Sequence, residues 1–153
     1  MVFLCFRILS DVNWQHLHKF IKQHQLIQRP LVVALSGGAD SVALLHLFVE
    51  MREQTDINFC AVHVNHGLSC NSDDWQQQVM QLCEKLKVEL NVCNVNIQPQ
   101  KRTSLEQQAR DARYHAIAEQ VDNNSVVFTG HHQVDQFETF ILRLMRGSGL
   151  TGL

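Results

Sequence analysis

No C-x-x-C pair occurs in this chain of 153 residues, and its five cysteines, Cys5, Cys60, Cys70, Cys83 and Cys93, are odd in number and widely spaced. That pattern argues against a disulfide framework and against a zinc or iron–sulfur site. Cys60 and Cys93 fall in apolar, strand-like runs, where a reduced buried thiol is the expected state. A reducing, cytoplasmic location follows as the expectation. Positive charge is not in excess either: 13 basic side chains face 15 acidic ones, for a net charge of −2. A stand-alone nucleic-acid binder usually carries a basic footprint. If the partner is a polyanion, most of its grip must come from elsewhere. Long apolar runs are missing as well. The opening MVFLCFRIL is too short to span a bilayer, and no small-residue cleavage site follows it, so neither a membrane segment nor a signal peptide is expected. Repeats and low-complexity tracts are absent.

What is present reads as one folded domain over 1–153, with 45% apolar and 18% charged residues. Apolar runs alternate with helical patterns. Trp14, Leu17, Phe20 and Ile21 predict a helix over roughly 11–25. Strands are predicted at Leu31–Leu35, Ile57–Val64, Glu89–Val95 and Ser125–Thr129. Helices are predicted at Asp40–Arg52, Asp73–Leu86, Ser104–Gln120 (opened by Ser104) and Val134–Met145, the last stopped by Gly147 and Gly149. The alternation implies an α/β fold, Rossmann-like, with a parallel sheet of about four to five strands and helices on both faces. Ligands in such sheets bind beyond the carboxyl ends of the strands, near the switch point. Asn96–Thr103 reads as a mobile loop. The glycine-rich RGSGLTGL at the end reads as the lead-in to a longer protein.

Ser36-Gly37-Gly38-Ala39-Asp40-Ser41 lies between a predicted strand and a predicted helix. Backbone N–H groups at a helix start, together with the helix dipole, favour an anion. The glycines allow close approach, and Ser36 and Ser41 add hydroxyl donors. The loop is neither Walker A, since Gly-Lys-Ser/Thr is missing, nor G-x-G-x-x-G. Asp40 is the odd member, an acid where an anion should sit. It can be a helix-starting carboxylate, worth ~0.5–2 kcal/mol as a cap. It can instead help hold Mg²⁺, which binds through one or two carboxylates plus phosphate oxygens. The metal reading requires a second acid. GHHQVDQFETF supplies Asp135, with Glu138 and Thr139 on the same helix face. Taken alone, that trio is an ordinary acidic first turn.

SLEQQARDARY places Glu106, Arg110 and Arg113 on one helix face. An ordinary Glu–Arg pair there contributes ~0.2–0.5 kcal/mol. Arginines near strand ends can also clamp phosphate or a developing oxyanion. His63 and His66 form H-x-x-H in HVNHGLS, and His131 and His132 are adjacent. No further ligand constellation accompanies them, so hydrogen bonding to nucleotide or to the strand-end loops is favoured over metal ligation.

In this order, SGGADS, HVNHGLS, SLEQQARDARY, GHHQVDQFET and RGSGLTGL closely resemble the tRNA(Ile)-lysidine synthetases, of the PP-loop (N-type) ATP pyrophosphatase superfamily. SGG-x-DS alone marks only the superfamily, whose fold is of the adenine nucleotide alpha hydrolase type. The resemblance runs from about residue 30 onward. It implies that Ser36, Gly37, Gly38, Ala39, Asp40 and Ser41 bind the pyrophosphate of ATP. Asp40 and Asp135 match the family's essential acids and would hold Mg²⁺ through ATP. Arg110 and Arg113 match its helix arginines, and His63, Asn65 and His66 its loop after the second strand of the motif series. His131 joins the nucleotide-binding set. The family often has Asp-Asp-Gln where this chain has Val134-Asp135-Gln136, and Asp135 is taken as the metal-linked acid.

The resemblance implies ligation of L-lysine to C2 of the wobble cytidine of an isoleucine tRNA with a CAU anticodon. ATP first adenylates the base and pyrophosphate leaves. Lysine then displaces AMP. It also implies C-terminal tRNA-binding domains beyond this chain. Two alternatives stay open. A PP-loop tRNA thiolase would use similar ATP chemistry but want paired cysteines. A non-catalytic ATP-binding module would fit Val134.

Overall fold

A computed structural model of the chain describes residues 1–6, 13–67, 71–95 and 105–130. Five strands, β1 (Val2–Phe6), β2 (Leu31–Ala34), β3 (Phe59–Asn65), β4 (Leu90–Asn94) and β5 (Val126–Gly130), form one sheet in the order β1-β5-β2-β3-β4. Every pairing is parallel. The helices are α1 (Trp14–Gln23), α2 (Ala39–Gln54), α3 (Ser72–Lys85) and α4 (Leu105–Gln120). The expected α/β class and the elements predicted up to residue 130 are present, with ends shifted by at most three residues. The helix predicted at Val134–Met145 lies outside the described residues.

The apolar runs of β2 and β5 are buried on both faces, as a central parallel strand requires. Leu31, Val33, Val126 and Phe128 face α1, α2 and α3, where they pack with Leu17, Ile21, Leu44, Phe48, Val49 and Val79. Phe48 anchors this side: its ring centroid lies 5.1 Å from Phe59 and 5.1 Å from Phe128. Val32, Val62 and Val127 point the other way, against Ala116 and Ile117 of α4. Adjacent residues of one strand thus serve opposite layers, as the two-residue period dictates. Helices cover both faces.

The sequence reading treated the opening apolar residues only as too short for a membrane span. They form β1, an edge strand beside β5 with Val2 opposite Val126 and Phe6 opposite Gly130. The pairing joins residues more than a hundred positions apart, so no local pattern announces it. α1 begins at Asn13, whose side chain accepts the His16 N–H at 3.2 Å. Among the described residues, no helix is long and apolar enough to cross a membrane. Cys83 and Cys93 are buried free thiols, and Cys60 is half-buried and free. Burial pushes all three thiols above their ordinary values, which keeps them protonated and unreactive.

Candidate functional site

From β2 the chain proceeds to β3 and β4 on one side, then returns through β5 to the other. The switch point of the sheet is therefore the crevice between the carboxyl ends of β2 and β5. A cavity of about 250 Å³ opens there. Its walls include Leu35 and Ser36 after β2, His63 to Gly67 at the end of β3, Thr129 and Gly130 of β5, and Arg113, Tyr114 and Ile117 of α4.

The 36–41 loop forms one rim. Ser36, Gly37, Gly38 and Ala39 are exposed, and α2 starts from Gly38. Gly37 has φ +88°, a left-handed conformation that side chains resist, and Val79 lies 3.3 Å from where its Cβ would be. The amides of Ala39, Asp40 and Ser41 occupy the first turn of α2, where N–H groups have no intrahelical acceptor. They are the loop's donors without an intrahelical acceptor. Its hydroxyls differ from expectation. Ser36 donates to Ser41 Oγ at 3.0 Å, and Ser41 donates to the Gly38 carbonyl at 2.8 Å. Buried Ser41 thus braces the turn from inside and does not offer a free donor to an anion.

Asp40 makes no side-chain cap bond. Gly38 is the N-cap, and no partner of the Asp40 carboxylate occurs among the described residues. The helix-capping alternative accordingly reduces to a first-turn acid beside the dipole. Opposite it, Gly130 packs against the α2 start so closely that a Cβ would lie 2.7 Å from the Asp40 carbonyl oxygen. His131, Val134 and Asp135 follow Gly130 in the sequence. Those residues lie outside the described ones, as do Glu138 and Thr139.

The three residues at the end of β3 are tied into the strand-end loops. His63 is buried, and its Nδ1–H donates to the Leu35 carbonyl at 2.7 Å, which fixes the β2 exit against β3. Asn65 is fully engaged: its amide donates to Asp73 and Gln76 at the start of α3, and its oxygen accepts the Gly67 N–H at 2.9 Å. It holds the β3–α3 turn and has little left for a ligand. His66 Nε2 accepts the Arg113 Nε–H at 3.3 Å, while its Nδ1 is buried without a partner. Burial first, then Arg113 and His63, hold the His66 ring below the ordinary histidine value. Among the described residues, no group of three His, Cys, Asp or Glu side chains is placed to hold a metal.

Arg110 and Arg113 separate, although both come from one motif. Arg113 lines the cavity. Arg110 is exposed and lies over the Tyr114 ring, 5.8 Å from its centroid. Tyr114 in turn meets Phe3 of β1 edge-on at 4.6 Å. Sequence reasoning missed Tyr114, Gly130 and Trp75. Trp75 is 53% exposed and stands on the rim between the main cavity and a second one of about 520 Å³, which lies between the loop and α3. A tryptophan inside the polar run DDWQQQ, and a glycine directly after a strand, were the available signals.

A family model described as the PP-loop domain matches residues 10–153. The chain belongs to the PP-loop domain family. It is 44% identical over 136 residues to a tRNA(Ile)-lysidine synthase of Histophilus somni, covering 86% of this chain and 31% of that protein. It is 39% identical over 143 residues to one of Vibrio vulnificus, covering 94% and 33%. It is 45% identical over 146 residues to one of Actinobacillus pleuropneumoniae, covering 95% and 32%. The chain therefore spans about a third of the length of the curated relatives it matches. Among solved structures it is similar to the U34-tRNA thiolase NcsA of Methanococcus maripaludis, with TM-score 0.66 and 19% identity over 86% of this chain and 50% of that one. That likeness shows the PP-loop fold alone.

Proposed function

We propose that this chain is the ATP-pyrophosphatase domain of a cytoplasmic enzyme that ligates L-lysine to C2 of the wobble cytidine in a CAU-anticodon isoleucine tRNA, forming lysidine. The observation that carries the reading is the SGGADS loop, exposed over Ser36 to Ala39, at the switch point of a parallel sheet, in a chain 39–45% identical to proteins named for this activity. Domains for tRNA binding would lie in the part of the relatives that this chain does not span, in keeping with its net charge of −2.

The chemistry needs activation, because the C2 oxygen of cytosine is a poor leaving group. That oxygen attacks the α-phosphate of ATP, and pyrophosphate departs. The lysine ε-amine then attacks C2, loses its proton and expels AMP. The domain supplies positioning and charge stabilisation. Amides at the α2 start receive the departing pyrophosphate. Arg113 offers its guanidinium at the cavity wall. His63, His66 and His131 complete the nucleotide surroundings, His63 by holding the Leu35–Ser36 exit in place, while Arg110, outside the cavity, stacks on Tyr114. Asp40 and Asp135 would hold Mg²⁺. The unpartnered, hard-oxygen carboxylate of Asp40 fits that ion, which neutralises phosphate charge when bound. The target base must leave the anticodon stack to be reached.

The test is incubation of the full-length protein with ATP, labelled lysine and the tRNA. Label entering tRNA, with AMP and pyrophosphate released, supports the synthetase. ATP binding without turnover supports a non-catalytic module, and ATP-dependent sulfur incorporation a thiolase.

A further inference from the structure

His66 stands out at the site because its two ring nitrogens are treated so differently. Nε2 accepts the Nε–H of Arg113 across 47 positions of sequence, and Nδ1 is sealed from solvent with no partner. A ring that accepts at Nε2 and is neutral carries its proton on Nδ1. An unpaired buried N–H is costly in a folded protein and needs a reason. Arg113 has no other hydrogen-bond partner among the described residues, so the ring is what orients it. Both residues line the cavity at the strand ends.

We propose that His66 is a positioning residue for Arg113. Its Nε2 engages the inner nitrogen of the guanidinium and leaves the two terminal nitrogens directed at the cavity, as a fork for phosphate oxygens. The contact ties the turn after β3 to the cavity face of α4. It works only with a neutral ring. Protonation converts Nε2 from acceptor to donor and sets a cation against Arg113. Among the described residues, two ionisable groups act on the ring, Arg113 from α4 and His63 from β3, and both oppose its protonation. Asp73 at the start of α3 is held by the Asn65 amide. The site therefore has a built-in acid limit: as the ring gains its proton, Arg113 is released from its pose. This inference rests on the proposed reading only for what the fork holds. The His66–Arg113 coupling stands apart from it.

Two measurements on the full-length protein test it. Nitrogen-15 imidazole spectra at neutral pH should show the His66 Nδ1–H tautomer, titrating below the ordinary histidine range. Arg113→Ala should move that titration upward. The Nε2–H tautomer, or a titration unmoved by Arg113→Ala, overturns the coupling whatever the enzyme's substrate. In ATP–pyrophosphate exchange, His66→Phe should lower kcat by about 100-fold with a smaller change in the KM for ATP, the scale of a misplaced catalytic group. His66→Gln, which keeps an acceptor, should restore most of the rate and abolish the acid limb contributed by the ring. Equal activities of the Phe and Gln variants, or an unchanged acid limb in His66→Gln, overturn the positioning role.

Discussion

Gly130, at the end of β5, sits so close to the first turn of α2 that a methyl group there would lie 2.7 Å from the Asp40 carbonyl oxygen and 2.8 Å from its carbonyl carbon. Backbone meets backbone at this point, and neither side can yield as a flexible side chain would. The contact docks the start of α2 on the exit of β5.

Gly130→Ala should therefore push the α2 start away from the sheet. An overpacked site of this kind costs about 1–3 kcal/mol. A urea midpoint reduced accordingly, with ATP–pyrophosphate exchange falling further than stability explains, is the expected result. Wild-type stability and exchange would show that the contact does not constrain the loop.

Asp40→Asn and Asp135→Asn should keep the fold and lose Mg²⁺–ATP turnover. Asp40 has no partner among the described residues, so its replacement should change stability by no more than about 0.5 kcal/mol. Circular dichroism and pyrophosphate exchange separate folding from function. Undiminished exchange in both variants refutes the metal assignment.

His63→Ala removes the 2.7 Å bond to the Leu35 carbonyl. The Leu35 amide is already committed to the Val62 carbonyl, so Leu35 is gripped by β3 at both backbone groups. Losing the buried partner should cost about 1–3 kcal/mol. Nucleotide affinity should fall as well, because the loop exit is no longer pinned. Calorimetric titration with a non-hydrolysable ATP analogue, alongside urea unfolding, checks both.

Stability should decline on the acid side through His66. Its ring titrates lower when folded than the ordinary value of about 6.5. Between the two values the unfolded chain binds more protons. The contribution is thus complete above the ordinary value and lost as pH falls through the folded one. Urea midpoints followed from about pH 8 to about pH 5 should fall more steeply for wild type than for His66→Gln. His18 is also lowered, by burial and then by Lys22, but it is common to both proteins and cancels in the difference. Parallel curves would show that His66 is not linked to folding.

Most of the scaffold was legible because each central element carries its own local signature. LVVAL has the unbroken apolar character of a two-face-buried strand, and the glycines after it can only be a turn. The β3 and β5 runs read the same way. β1 was not legible, since VFLCF has no helical or alternating period to distinguish it, and its partner is residues 126–130. Within the site, the motif residues were named but not their division of labour. Arg110 and Arg113 share one face on a helical wheel, and only the rotation of α4 against the sheet puts one in the cavity and the other over Tyr114.

Composition and motif order by themselves determined a parallel α/β domain with a glycine turn at a helix start and an acid in that helix's first turn. These follow from backbone freedom, hydrophobic period and the unpaired amides of a helix start, all of which are properties of a short stretch of chain. Tertiary structure alone decided that Ser41 braces the turn from within, that Asn65 is spent on the β3–α3 turn, and that Gly130 must lack a side chain. It also decided that His66 grips Arg113. Each of these depends on which groups meet across the sheet, and hydrogen bonds form by distance in space, which residue order along the chain does not encode.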